Sequence, residues 1–187
     1  MTAVANPARA RQNTAMLIKI ILTVIGSDRP GLTEALAGAV LAAGGNWLES
    51  RLSRLGGKYV GSVLVELPDD AVEALRSGVA HVDAAGLKVE IVVAGDAAPT
   101  GTRMDFSLVG QDRAGIVLEV SAVLARLGVN IEELETGTEV EAWSGNRLFR
   151  AEAQLLLPPK VAADDVQAAL EAISGEIMVD FKRAATS

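Results

Sequence analysis

The chain has 187 residues, half of them apolar, and a formal net charge of −7. That length allows one ordinary domain or two small ones, and the apolar share is large enough for a packed core. Such a net charge argues against the basic face with which proteins displace counterions from phosphates, so we expect no direct binding of nucleic acid. The absence of cysteine excludes disulfides and thiolate sites, and the single histidine, His81, is too few for a multi-histidine metal site. We therefore expect no metal and no cofactor.

The apolar runs are too short for a membrane anchor. Residues 20–27 and 35–48 are shorter than the roughly 18 to 20 residues that a spanning helix needs. Residues 1–15 contain arginine and alanine but no acid, and we interpret them as a disordered leader, with a transit peptide as the alternative. A signal peptide is disfavoured because Lys19 interrupts the apolar stretch. We expect a cytoplasmic protein.

The first half of the chain predicts four strands and two helices. Residues 17–25 form a β-branched, apolar run that indicates a buried strand. Residues 31–43 carry apolar side chains at helical spacing and precede Gly44, which suits the left-handed end of a helix. A hairpin over residues 46–67 turns at Gly56-Gly57. Asp69-Asp70 then opens a second helix, and a last strand closes the unit.

The second half repeats the first. Residues 26–32 (GSDRPGL) recur as residues 110–116 (GQDRAGI), and Gly44-Gly45-Asn46 recurs as Gly128-Val129-Asn130. The second hairpin is longer and turns near residues 144–146, and Asp164-Asp165 opens the last helix. This is the pattern of a tandem duplication. We predict domains at residues 16–95 and 103–183, a linker at 96–102 and a tail at 184–187.

Each copy has the order β-α-β-β-α-β. This is the ferredoxin-like plan of the α+β class, in which an antiparallel sheet carries both helices on one face. Sheet edges left open at the ends of such a unit favour pairing with another unit. We therefore expect the two copies to pair within the chain and the protein to form a homodimer.

The repeated residues are predicted to lie near one another and to suit an amino acid. A helix start presents free N–H groups, and Gly31 would let an anion approach them without a Cβ in the way. The side chain of Asn46 offers a donor and an acceptor, and Asp28 could hold an ammonium group. The alternative is purely structural: the glycine serves the turn, the asparagine tolerates a left-handed backbone and the aspartate complements the helix dipole. The residues alone leave both interpretations open.

These motifs resemble the ACT domain, a small regulatory module on enzymes of amino-acid metabolism. The resemblance rests on the D-R-P-G-L turn, the G-G-N start of strand two and the element order, and it covers most of residues 16–183 in two copies. Residues 46–57 further resemble the first ACT domain of the glycine cleavage system transcriptional repressor family. That family implies a non-catalytic protein with two ACT domains, without a DNA-binding domain, that acts through a LysR-type transcriptional activator.

The resemblance also implies a ligand, a small amino acid such as glycine, at ACT–ACT interfaces. The residues that it places there are Asp28, Arg29, Pro30, Gly31, Leu32 and Asn46 in the first copy, and Asp112, Arg113, Gly115, Ile116 and Asn130 in the second. The two asparagines would contribute from the partner side of the interface. Ala114 replaces the proline of the turn, so the two sites need not be equally competent.

Two further features remain open. Trp143 on the second hairpin is interpreted as a lid over its own sheet or as an anchor for a partner. Glu132, Glu133 and Glu135 are interpreted as a solvated strand edge, because no nucleophile–base pair supports an enzyme. The alternative function is a protein-interaction module that kept the duplicated fold and lost ligand binding.

Overall fold

A computed structural model describes residues 16–84, 86–95, 100–140, 145–173 and 177–183. The chain divides into two compact units, Met1–Asp96 and Ala97–Ser187. The predicted leader, the tail, Trp143 and residues 96–99 of the predicted linker lie outside the described residues.

Both units have the predicted element order. The first contains β1 (Leu17–Ser27), α1 (Leu32–Ala42), β2 (Asn46–Leu55), β3 (Lys58–Pro68), a short 3-10 helix (Asp69–Ala71), α2 (Val72–Ala84) and β4 (Leu87–Val93). The second contains β5 (Thr102–Gln111), α3 (Ile116–Arg126), β6 (Asn130–Val140), β7 (Arg147–Leu157), α4 (Ala163–Glu171) and β8 (Met178–Arg183).

Each unit builds one four-stranded antiparallel sheet. The strand order is β2-β3-β1-β4 in the first unit and β6-β7-β5-β8 in the second. The first and third strands of each βαββαβ unit are therefore central neighbours, as the ferredoxin-like plan requires. The α+β fold predicted from the sequence is confirmed twice in one chain.

The core of the first unit lies between the sheet and its two helices. Along β1, Ile20, Leu22 and Val24 are buried in alternation and pack with Leu36 and Val40 of α1. The strand differs from the wholly buried one predicted, because its other face is open; Ile25 on that face is 52% exposed. The second core is built in the same way around buried residues that include Phe106, Leu108, Val120, Leu124, Leu155 and Leu170.

The outer faces of the two sheets differ in chemistry. In the first unit Ile21 pairs with Leu64 on one side and Val92 on the other, which gives an apolar row across three strands. At the matching place in the second unit Asp105 pairs with Gln154. The duplication therefore preserved the inner faces as apolar surfaces, whereas the outer faces diverged.

The edge strand next to the hairpin is bulged in both units. The pairing register of β2 shifts between Trp47 and Glu49, and that of β6 shifts between Ile131 and Glu133. A bulge adds one residue to one strand and increases the local twist. Both sheets are therefore interrupted at the same position of the repeat.

Candidate functional site

The strand-to-helix turn has the same backbone in both units. Gly31 is the N-cap of α1 with φ 91° and ψ −6°, and Gly115 is the N-cap of α3 with φ 92° and ψ −6°. L-residues rarely adopt this left-handed conformation, so the turn itself requires glycine. The structural interpretation of these glycines therefore has direct support. Among the described residues, no side chain caps either helix start with a hydrogen bond.

The first turn, which we call the first corner (Asp28–Leu32), is open. A Cβ placed on Gly31 would meet no atom of the described residues within 4 Å. Leu32 anchors the corner because its side chain is only 3% exposed, whereas residues 28–31 are exposed. The N–H groups at the start of α1, which lack partners inside the helix, thus lie beside free space. Such a place can accept an anionic group.

The end of the β2–β3 hairpin lies beside the first corner. Nε of Arg54 lies 3.0 Å from Oδ2 of Asp28, and Nζ of Lys58 donates to Oγ of Ser27 at 3.3 Å. The hydroxyls of Thr33 and Tyr59 are hydrogen-bonded at 2.6 Å. None of these neighbours was among the residues predicted for the site. The tight Gly56-Gly57 turn predicts which residues of β2 and β3 face each other, but not that the hairpin end meets the corner.

The structure does not bring the corner and the asparagine together within one unit. Asn46 begins β2 after α1 has ended, and α1 runs for 11 residues from the corner. At a rise of 1.5 Å per residue, the two ends of that helix are about 16 Å apart. Asn130 stands in the same relation to Gly115. The prediction that these residues lie near one another is thus wrong within a single copy, and a ligand can touch both groups only where two copies meet.

The second turn, which we call the second corner (Asp112–Ile116), holds an internal ion pair. Arg113 donates from Nη1 to Oε1 of Glu119 at 2.7 Å and from Nη2 to Oε2 at 2.6 Å. These hydrogen bonds hold the pKa of the Glu119 carboxyl below its ordinary value. Asp112 faces Arg147, whose Nε lies 3.6 Å from Oδ2. Glu119 was not predicted for the site, because it has no acidic counterpart in the first copy.

The other chemistry-bearing residues lie away from the corners. His81 is exposed, with Nδ1 2.8 Å from the carbonyl oxygen of Ser77. Glu132 pairs with Nε of Arg103 at 2.7 Å. Glu133 and Glu135 line an open depression of about 440 Å³ on the outer face of the second sheet, together with Asp105, Ser107, Glu152, Gln154 and Asp180.

The described parts of the chain contain no group of three or more acidic or histidine side chains arranged to hold a metal ion. No helix in these segments has both the length and the apolar composition that crossing a bilayer requires.

Comparison with known proteins identifies the fold. Residues 19–93 match the family model of the ACT domain. No curated protein matches the chain in sequence. An unknown protein from Galdieria sulphuraria superposes with a TM-score of 0.79 at 28% identity, over 91% of this chain and 100% of that chain. A protein assigned as a glycine cleavage system transcriptional repressor superposes with a TM-score of 0.68 at 15% identity, over the same shares. The first unit is therefore similar to the ACT domain over most of its length, and the chain is a tandem of two units with the ACT fold.

Proposed function

We propose that the protein is a non-catalytic regulator that binds a small amino acid where two ACT copies meet. The observation that carries the proposal is the uncovered helix start at Gly31, where an added Cβ would have no atom of the described residues within 4 Å. A carboxylate placed there accepts hydrogen bonds from first-turn N–H groups and complements the positive end of the helix dipole. The other polar side chains of the site then determine which further chemical groups a ligand must have.

The ammonium group of the ligand needs a partner besides Asp28. That carboxylate is already 3.0 Å from Arg54. Asn46 is exposed and begins β2, just after the C-terminal end of α1. When a second copy places its Asn46 at the corner, the amide oxygen can accept a hydrogen bond from the ammonium group of the ligand. The proposed site thus combines the corner of one copy with the asparagine of another, and the homodimer or the pairing of the two units would complete it.

The size of the ligand limits the affinity. Glycine has about five heavy atoms, and the best small ligands gain at most about 1.5 kcal/mol per atom, so binding reaches about −7 to −8 kcal/mol. That free energy corresponds to a micromolar dissociation constant at best. The protein would therefore report metabolite concentrations in the micromolar to millimolar range. Glycine is the first candidate because of the structural likeness to the protein assigned as a glycine cleavage repressor.

The regulatory output would be a protein contact in the cytoplasm. A net charge of −7 disfavours direct binding to DNA, so a protein partner would carry the output. The resemblance to the glycine cleavage repressor family implies a transcriptional activator of the LysR type as that partner. For the amino acid to change this contact, it must bind one arrangement of the ACT copies better than another.

Calorimetry of the full chain against each of the twenty amino acids tests the proposal. We expect one or a few small amino acids to release or take up heat with micromolar to millimolar affinity, and to raise the melting temperature. Sedimentation with a LysR-type activator from the same genome, with and without that amino acid, tests the output. Absence of both heat and thermal shift for all twenty would refute ligand binding.

The second candidate function is a ligand-free interaction module, and one observation favours it. The second corner already contains the carboxylate of Glu119 on Arg113, so at least one copy has an internal group where a ligand would approach. A chain that bound a protein partner through the ACT fold alone would form the same complex in the presence and absence of amino acids.

A further inference from the structure

The outer face of the first sheet, on the side away from the two helices, presents apolar side chains. Two apolar rows, Leu64 with Ile21 and Val60 with Ile25, lie on either side of one row of hydroxyls. Val92 of β4 extends the first row and is 52% exposed, as is Ile25. An apolar patch of this kind, bordered by polar side chains, is typical of a surface that binds another protein.

Charges of opposite sign stand at the two ends of the hydroxyl row. The hydroxyls belong to Ser62 of β3 and Thr23 of β1. The row begins at Arg51 on the edge strand β2 and ends at Glu90 on the edge strand β4. Three strand spacings of about 4.8 Å put these ends about 14 Å apart, so the two charges do not pair within one chain. Each forms an ion pair with a neighbour on its own strand instead.

The same face of the second unit is acidic. Asp105 stands where the first unit has Ile21, and the open depression beside it is lined by four further acids, Glu133, Glu135, Glu152 and Asp180. Arg103 and Arg150 of this sheet each form an ion pair with a different acid. Two such faces would bring like charges together, which disfavours association between them.

We propose that the outer face of the first sheet binds the same face of a second chain, about a two-fold axis parallel to the strands between β1 and β3. This axis lays the β2 edge of each chain over the β4 edge of the other, so Arg51 faces Glu90 at both ends of the row. Beyond the row of Ile21 it brings Glu66 opposite Lys19. An axis along the row would put Arg51 over Arg51 and Glu90 over Glu90, so the charges select the first arrangement. The interface involves no corner residue, and its existence does not depend on the proposed function.

The size of the face indicates a weak dimer. Four strands at a spacing of about 4.8 Å, over residues 19–27 of β1 at about 3.4 Å each, cover about 19 by 31 Å. Two such faces bury roughly 1,200 Å², at the lower limit of standard protein–protein interfaces. Exposed ion pairs add little affinity, so the charges would set the orientation while the apolar rows supply the binding. We expect a dissociation constant in the micromolar range.

A lysine at the centre of the face tests the interface. Sedimentation velocity of the full chain, without amino acid, measures the association. Thr23→Lys places a charge beside the axis, where it repels its counterpart in the other chain, and should raise the dissociation constant at least about tenfold. The new ammonium group can pair with Glu90 across the strands, so we expect the unit to stay folded, as circular dichroism would show. Ser107→Lys is the matched control: Ser107 holds the equivalent position in the second sheet, and the change should leave the association unaltered.

Exchange of the end charges tests the orientation. In Arg51→Glu two acids meet at each end of the row, and in Glu90→Arg two bases meet, so each variant alone should dimerise at least about tenfold more weakly. A mixture of the two variants restores an acid opposite a base at both ends. With a fluorescent label on one of them, mixed dimers should therefore form with nearly wild-type affinity. Because the two positions lie about 14 Å apart in one chain, such recovery reports a contact between chains.

Three results would overturn the proposal. The first is a wild-type chain that stays monomeric up to millimolar concentration. The second is an association that a folded Thr23→Lys variant leaves unchanged, which would assign it to another surface such as the sheet edges. The third is the absence of recovery when the two end-charge variants are mixed. Amino-acid binding is measured separately by calorimetry, so its failure would refute the proposed function and leave this interface in place.

Discussion

Replacing Gly31 by alanine should separate the two roles of this glycine. At φ 91° the residue lies in the left-handed region, which costs an L-residue about 1 to 2 kcal/mol. No contact with the described residues adds to that cost, because the new Cβ meets none of their atoms within 4 Å. We therefore expect a free energy of unfolding of the first unit lower by about 1 to 2 kcal/mol, and a melting temperature lower by about 4 to 8 °C for each kcal/mol.

The same methyl group should also lower the affinity for the ligand. It would stand between an approaching carboxylate and the first-turn N–H groups, and the loss of one hydrogen bond to a charged group amounts to about 1.5 to 3 kcal/mol. The expected loss of affinity is about 10- to 100-fold. Calorimetry with the amino acid found for the wild type measures the affinity, and urea unfolding followed by circular dichroism measures the stability.

Gly44→Ala is the matched control. Gly44 has φ 73° and an added Cβ there also meets no atom of the described residues within 4 Å, but it lies at the other end of α1. Both variants should lose a similar amount of stability, and only Gly31→Ala should lose affinity through the corner. An affinity of Gly31→Ala equal to that of the wild type would show that the corner does not touch the ligand.

Two further predictions concern the stability of the first unit. Gly61→Ala should lower the free energy of unfolding by at least about 2 kcal/mol in urea, because the added Cβ would overlap the carbonyl oxygen of Arg51 across the β2–β3 pair. Its control is Gly137→Ala, in a strand where an added Cβ meets open space. Equal unfolding midpoints for the two variants would contradict the reasoning. Tyr59→Phe removes the exposed 2.6 Å hydrogen bond to Thr33 and should cost about 0.5 to 1 kcal/mol, measured by the same unfolding curves, with an unchanged midpoint as the contrary result.

The elements of the fold could be predicted because local patterns determine them. Alternation along β1 and helical spacing along α1 place the apolar side chains on faces that can only be buried together. The duplication supported each assignment with a second copy, and Gly44 and Gly128 end their helices in the left-handed conformation, with φ 73° and 71°. Such patterns involve residues close in sequence, so they can be recognised from the sequence alone.

The candidate site could be predicted only in part. The corner glycines could be predicted because the turn requires them. The residues alone suggested that Asn46 lies near its own corner, although a whole helix separates the two, and only the family resemblance placed it on the partner side. The pair of Arg113 with Glu119 was not predicted, because the site was inferred from residues that recur in both copies. Glu119 occurs in the second copy only, where the first copy has Ala35. The contact of Arg54 with Asp28 depends on how the hairpin end meets the turn, which spacing alone does not give.

The matching bulges indicate the order of two events in the evolution of the chain, the origin of the bulge and the duplication. One interrupts β2 between Trp47 and Glu49 and the other interrupts β6 between Ile131 and Glu133, at equivalent positions. An irregularity of this kind requires an extra residue and a local change of strand direction, and independent acquisition at the same site twice is improbable. The single-domain ancestor therefore carried the bulge before its gene doubled, and the twist that it gives the edge strand is older than the difference between the two halves.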